Sequence, residues 1–151
     1  YAQHFDKSDI TSVSGRLYRK PDTPADHLED HGTLSLTFES GAVANVTASF
    51  AAACAPYRFR LLGTRGTLVD HWDSENKLTI YSKLGNGEST TTEVAYPHSD
   101  SHTDYYHNLA DHLEKGTPLL VSPASAARVI NVLCTADKSA QNEGKAQSLA
   151  D

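Results

Sequence analysis

Between Thr33 and Glu39 apolar and polar residues alternate, with Leu34, Leu36 and Phe38 on one side and Thr33, Ser35 and Thr37 on the other. A two-residue period of this kind marks a strand with one buried face. Ser40-Gly41 then supplies a tight-turn pair, and Ala42 to Phe50 returns as a second strand, so the segment reads as a hairpin. Ile10 to Arg19 alternates around Ile10, Ser12, Ser14 and Val13, Leu17, with Gly15 marking a bulge or a close approach. Lys20 to Asp30 has two prolines, four acids and no period, and is expected to be a surface loop. Tyr57 to Leu62 and Thr67 to Trp72 are two further strands joined by Gly63-Thr-Arg-Gly66, where two glycines can supply positive φ. Lys77 to Lys83 and Ser89 to Tyr96 follow, separated by the turn Leu84-Gly-Asn-Gly87.

From Ser101 the period changes. Tyr106, Leu109, Ala110 and Leu113 fall at i, i+3, i+4 and i+7, while His107, Asp111, His112 and Glu114 take the outer face, which predicts an amphipathic helix ended by Gly116. A second helix opens with Ser122 as N-cap and Pro123 at the first helical position, where a missing N–H has no intrahelical acceptor to disappoint. Val129, Ile130, Leu133 and Ala136 are its expected buried stripe, and Gly144 its stop. Six or seven strands joined mostly by short turns, then two helices, define an α+β fold. Its expected form is an open, predominantly antiparallel six- to seven-stranded sheet with both C-terminal helices packed on one face.

Two helices can cover only one face of such a sheet. The other carries Asn45, Thr47 and Ser49, and also Arg58 and Arg60 if Phe59 and Leu61 point to the helices. That polar surface is broad enough for a partner subunit or a ligand. The pattern alone is equally compatible with a face that is merely solvated.

At 151 residues the chain is a single domain, 1–151, by size, large enough to bury roughly two-thirds of its unfolded surface without disulfide or metal. Cys54 and Cys134 lie far apart with no zinc-type spacing, and are expected to be small apolar core residues in a reducing, cytoplasmic setting. The formal net charge of -6 argues against nucleic acid as a partner, because phosphate neutralisation needs a basic face. No apolar run is long enough for a membrane span, and nothing after Tyr1 resembles a signal-peptide core. Tyr1 is not a start methionine and the chain contains no Met, so it is expected to be a piece of something longer.

Few chemical motifs survive inspection. Gly85-Asn-Gly-Glu-Ser-Thr90 begins like a dinucleotide fingerprint but lacks the third glycine and runs strand to strand, whereas a phosphate site needs a strand opening into a helix N-terminus. His98, His102, His107 and His112 lie close in sequence, yet His107 and His112 are five apart, about 140° around a helix rather than on one face. Exposed polar histidines are the preferred reading over a metal site. Ser101, His102 and Asp104 are too close in sequence to converge as a nucleophilic triad, and no GxSxG elbow exists. The approach to the first long helix does stand out: Tyr96-Pro-His-Ser-Asp-Ser-His102, then Tyr105 and Tyr106. Such groups beside a polar sheet can hydrogen-bond a hydroxylated ligand, and His102 can equally serve only to cap or pack the helix start.

Taken in order, GTLSLTFESGAVANVTASF, YRFRLLGTRGTLV and HTDYYHNLADHLEKGTPLLVSPASAARVINVLCTADKSAQNEGKAQSL resemble the C-terminal domain of the Gfo/Idh/MocA family, oxidoreductases related to glucose-fructose oxidoreductase and inositol dehydrogenase. The resemblance spans roughly Ile10 to Leu149. It rests on the Ser-Gly hairpin at 33 to 50, the GxxGTL turn at 63 to 68, the helix closing on Lys-Gly, and the Ser-Pro start and Ser-Ala-x-x-x-Gly finish of the last helix. The resemblance implies an N-terminal Rossmann domain binding NAD or NADP in the full-length protein, with this domain supplying part of the substrate pocket and much of the oligomer interface. Glu114-Lys115-Gly116 ends a helix and does not inherit the family's Glu-Lys-Pro role. His4 and Asp6 stand in the wrong order for its Asp-x-x-x-His pair.

The resulting expectation is the substrate-side and oligomerisation domain of an NAD(P)-dependent oxidoreductase acting on a sugar- or cyclitol-like alcohol. The fragment itself should bind no cofactor, contain no catalytic residue and be inactive alone, because hydride transfer needs the ring and the reacting carbon in contact. Arg58 (a planar donor fork), Trp72 (a flat apolar surface for a sugar ring), His102 and Tyr105 (hydrogen-bonding tips) are its candidate substrate-binding residues. A homodimer through the open sheet face is expected. The alternative is a non-enzymatic module whose sheet serves self-association only.

Overall fold

The computed structural model describes residues 2–24, 26–54, 57–72, 76–83, 85, 87–97 and 101–149. The α+β class holds: among the described residues there are seven strands, every pairing antiparallel, and two long helices. The strands are shared between two sheets rather than laid in one ladder: β1-β2-β3 and β4-β5-β6-β7. The chain accordingly forms two compact units, residues 1–51 with 119–151, and residues 52–118.

In the first unit a one-turn helix α1 (Ala2–Phe5) precedes β1 (Ile10–Tyr18), β2 (His31–Phe38) and β3 (Val43–Ser49). The register sets Val13 opposite Leu36 and Leu34 opposite Val46, so one face collects Ile10, Val13, Leu34, Leu36, Phe38 and Ala44. These side chains make the core with Val132 of α3 (Pro123–Gln141), as the alternation of β2 requires. The irregularity in β1 falls between Ile10 and Ser12; Gly15 is the close approach, because a Cβ there would stand 2.4 Å from the Ala136 carbonyl oxygen. Ser122 caps α3, its hydroxyl accepting from the Ser125 N–H at 3.1 Å. The helix stops at Gln141, where Gly144, at φ 74°, turns its N–H back to the Ser139 carbonyl at 2.8 Å.

The expected buried stripe of α3 is displaced. Val129, Ile130 and Leu133 are 52, 58 and 51% exposed, while Val132, Thr135 and Ser139 are buried. Of the expected stripe only Ala136 packs against the core, where it meets Gly15, and Val132 takes the place beside it while the bulkier trio stays in water. Both cysteines are likewise exposed and unpaired rather than in the core.

The second unit holds β4 (Phe59–Gly63), β5 (Gly66–Asp70), β6 (Lys77–Lys83), β7 (Ser89–Ala95) and α2 (Ser101–Lys115). Thr64-Arg65 form the β4–β5 turn, and neither flanking glycine has positive φ. Gly66 is required instead because a Cβ would come within 2.3 Å of the Tyr81 carbonyl oxygen. Rows such as Leu61–Leu68–Ile80 give this sheet one apolar face, and Leu61 and Val94 on it remain exposed. Helix α2 ends at Gly116 (φ 70°), but its stripe is not packed on a sheet: Tyr106 and Leu113 are exposed and Leu109 only half-buried.

Candidate functional site

Arg58 and Trp72 flank the ends of β4 and β5 that lie away from the Thr64-Arg65 turn. The Arg58 N–H donates to the Asp70 carbonyl at 2.7 Å, which carries the pairing one residue past Phe59 and Asp70. The Arg58 side chain then folds over the strand end. Its Nε stands 3.2 Å from Asp70 Oδ2, its Nη2 donates to Tyr96 Oη at 3.0 Å, and the Tyr96 hydroxyl makes a long contact, 3.4 Å, to Asp70 Oδ1. The guanidinium carbon lies 6.0 Å from the centroid of the Trp72 ring, at the outer limit of a cation–π contact. Asp70 is only 4% exposed, the one buried charged residue among those described, and Arg58 is its counter-ion.

Two of the four sequence candidates therefore meet, and two do not join them. His102 and Tyr105 stand three residues apart on the first turns of α2, both exposed, with the Tyr105 ring edge-on to Tyr106 at 5.3 Å. Among the described residues no hydrogen bond, ion pair or ring contact links them to Arg58 or Trp72. Of the approach segment, 98–100 lie outside the described residues. Sequence reasoning missed Asp70 and named Tyr96 only as part of the approach to α2. The available signal was an acid closing an otherwise apolar strand, Gly66-Thr-Leu-Val-Asp70, two residues before the only tryptophan.

Other polar groups serve structure. His112 Nδ1 donates to the Thr117 carbonyl at 2.7 Å and Asn108 to that of Pro118 at 3.0 Å, so both close the end of α2. Hydrogen bonds from the Ser40 hydroxyl and from the hydroxyl and N–H of Ser8 hold the Asp6 carboxyl below the usual carboxylate range, pinning the start of the chain to the β2–β3 turn. Asp6 and Arg128 also line an open hollow of about 380 Å³ beside the start of α3. Among the described residues no three His, Cys, Asp or Glu side chains converge as metal ligands, and His98 lies outside them. Among the described residues no helix is long and apolar enough to cross a membrane.

Residues 5–147 match the family model described as "Oxidoreductase family, C-terminal alpha/beta domain". The chain belongs to the Gfo/Idh/MocA oxidoreductases, of which it is a C-terminal domain. Among curated proteins no match was found. Solved structures sharing the fold include the Bacillus subtilis protein yvaA, 14% identical, at a TM-score of 0.80 over 99% of this chain and 47% of that one. A levoglucosan dehydrogenase solved with NADH and levoglucosan is 18% identical, with a TM-score of 0.76 over 99% of this chain and 47% of that one. The Caulobacter crescentus aldose-aldose oxidoreductase solved with glycerol is 21% identical, with a TM-score of 0.74 over 98% of this chain and 44% of that one. The chain thus spans less than half the length of each.

A nicotinamide cofactor, implied by the family, does not fit the residues described. Its pyrophosphate needs a glycine turn that opens a helix directly after a strand. Here the glycine turns at 40–41 and 63–66 connect strand to strand, and Gly85 and Gly87 fall between β6 and β7.

Proposed function

We propose that this chain is the substrate-side and oligomerisation domain, 1–151, of an NAD(P)-dependent oxidoreductase acting on a sugar- or cyclitol-like alcohol. Alone it is inactive and binds no cofactor, and the nicotinamide is held by another part of a longer protein. The observation that carries this reading is the pair of open sheets. The outward rows of β2 and β3, Thr33, Asn45 and Thr47, are exposed on the face away from α3, and β7 is exposed along its whole length. A polar face of this kind can receive a second body, and a homodimer through it is the proposed occupant.

Support for the substrate class comes from the relatives, one solved with NADH and levoglucosan and another with glycerol; levoglucosan and glycerol are both neutral hydroxylated compounds. Within this chain Arg58 and Trp72 are the substrate contacts, joined by His102 and Tyr105 when α2 is brought to the site. Two unpaired thiols, Cys54 and Cys134, accord with a reducing cytoplasmic setting. The test is NAD(P)-linked oxidation of a panel of sugars and cyclitols by the full-length enzyme, with Trp72→Ala raising KM. Turnover unaffected by all four substitutions would remove the site assignment. Turnover by none of the panel, with dimers still seen by light scattering, would favour a self-association module.

A further inference from the structure

We infer that Asp70 sets the charge specificity of this site: by pairing with Arg58 beside Trp72 it makes the donor fork select neutral polyols over sugar acids and sugar phosphates. The inference rests on the substrate-side reading and adds to it the identity of the residue that chooses among sugars.

An arginine at the edge of a sugar site ordinarily favours anions, because a guanidinium fork matches a carboxylate or phosphate in two hydrogen bonds. Here that preference is cancelled from below. Asp70 is 4% exposed and shut off from solvation by water, so its carboxylate forms an ion pair with Arg58, Oδ2 standing 3.2 Å from Nε, and the pair has no net charge. Tyr96 closes the triangle, accepting from Nη2 at 3.0 Å and facing Asp70 Oδ1 at 3.4 Å, so the guanidinium plane cannot swing away to follow an anion. The Nη1 end of the fork donates to no protein atom among the described residues, and the Arg58 side chain is 39% exposed.

The fork therefore offers outward N–H donors without a net field behind them. A hydroxyl oxygen accepts such donors well. An anion must give up its hydration shell for a site whose positive charge is already matched, and gains little in return. Trp72, 65% exposed, provides a flat apolar surface beside these donors for the C–H face of a ring. Asp70 is in this account a positioning residue, acting through Arg58 and touching no substrate itself.

Trp72 is the only tryptophan of the chain, so its emission reports this place alone. The test titrates the full 151-residue chain with methyl glucoside and with the corresponding methyl glucuronide, which differ in one carboxylate, and follows that emission. The wild type is expected to bind the glucoside more tightly, and Asp70→Asn to gain affinity for the glucuronide by about tenfold, the difference between a charge-assisted and a neutral hydrogen bond. The double variant Asp70→Asn/Arg58→Gln, which has neither charge, should show no such gain.

Tighter glucuronide binding by the wild type would overturn the proposal whether or not the variants fold. So would an unchanged preference in an Asp70→Asn chain whose circular dichroism is native, and in both cases sugar binding at Trp72 would stand. Emission indifferent to both sugars would remove the substrate-side reading, and this proposal with it.

Discussion

The Ser139 hydroxyl accepts a hydrogen bond from the Gly15 N–H at 2.9 Å and donates one to the Lys145 carbonyl at 2.7 Å, tying β1, α3 and the chain's last turn together at one fully buried oxygen. Just beyond, Val13 and Gln147 exchange two backbone hydrogen bonds at 2.8 Å. Helix and strand meet closely enough for this because Gly15 has no side chain and Ser139 a small one.

Ser139→Ala leaves the Gly15 N–H and the Lys145 carbonyl without their partner, so a loss of about 1–3 kcal/mol is expected. Gly15→Ala forces its Cβ onto the Ala136 carbonyl and should cost at least a similar ~1–3 kcal/mol. Urea denaturation of the two variants measures both. Wild-type midpoints for either would show that the seam is not close-packed.

The two sides of α3 should respond differently to truncation. Phe38→Ala opens the core beneath the helix and is expected to cost about 3–5 kcal/mol. Leu133→Ala should change the stability of the isolated chain by no more than ~0.5 kcal/mol, because its side chain is half in water. A large loss on Leu133→Ala would mean that the helix packs through the trio its sequence periodicity suggests.

Hydrogen bonds from the Lys20 N–H at 2.8 Å and the Thr23 hydroxyl at 2.7 Å hold the Asp30 carboxyl below the usual carboxylate range. A depressed native pKa means stability that is present in full above the unfolded-state value, near 4, and disappears as pH falls through the native value. Asp30→Asn should therefore lower Tm at pH 7, with the gap to wild type closing in strong acid. A gap that persists at pH 2 would assign the effect to packing.

Cys54 and Cys134 are both exposed and free, so two thiols per chain should react with a chromogenic disulfide reagent without denaturant. One or none would show that a partner covers the missing thiol, and repeating the assay across protein concentrations would tell self-association from a fixed contact.

What was legible along the chain was what depends on neighbours in sequence. The alternation of Leu34, Leu36 and Phe38 marks the buried face of β2 because a pleated strand sends every second side chain the same way. Ser122 caps α3 and Gly41 and Gly116 adopt positive φ because those roles are decided within four or five residues. Lys77–Lys83 is a strand to the residue, and the resemblance read from segment order over Ile10 to Leu149 agrees with a family match over residues 5–147. The site was legible only as residue types, with Arg58 and Trp72 chosen for their chemistry and found together.

By itself, then, the amino-acid order determined the class, the elements and the family. Tertiary structure alone decided which face of α3 is buried, that the strands part into two sheets after Ser49, and that Asp70 lies beneath Arg58. The reason is one of range. Periodicity reports that a side of a helix is apolar, but two such sides compete for a partner, and the winner is the one whose side chains fit the space a distant glycine leaves open.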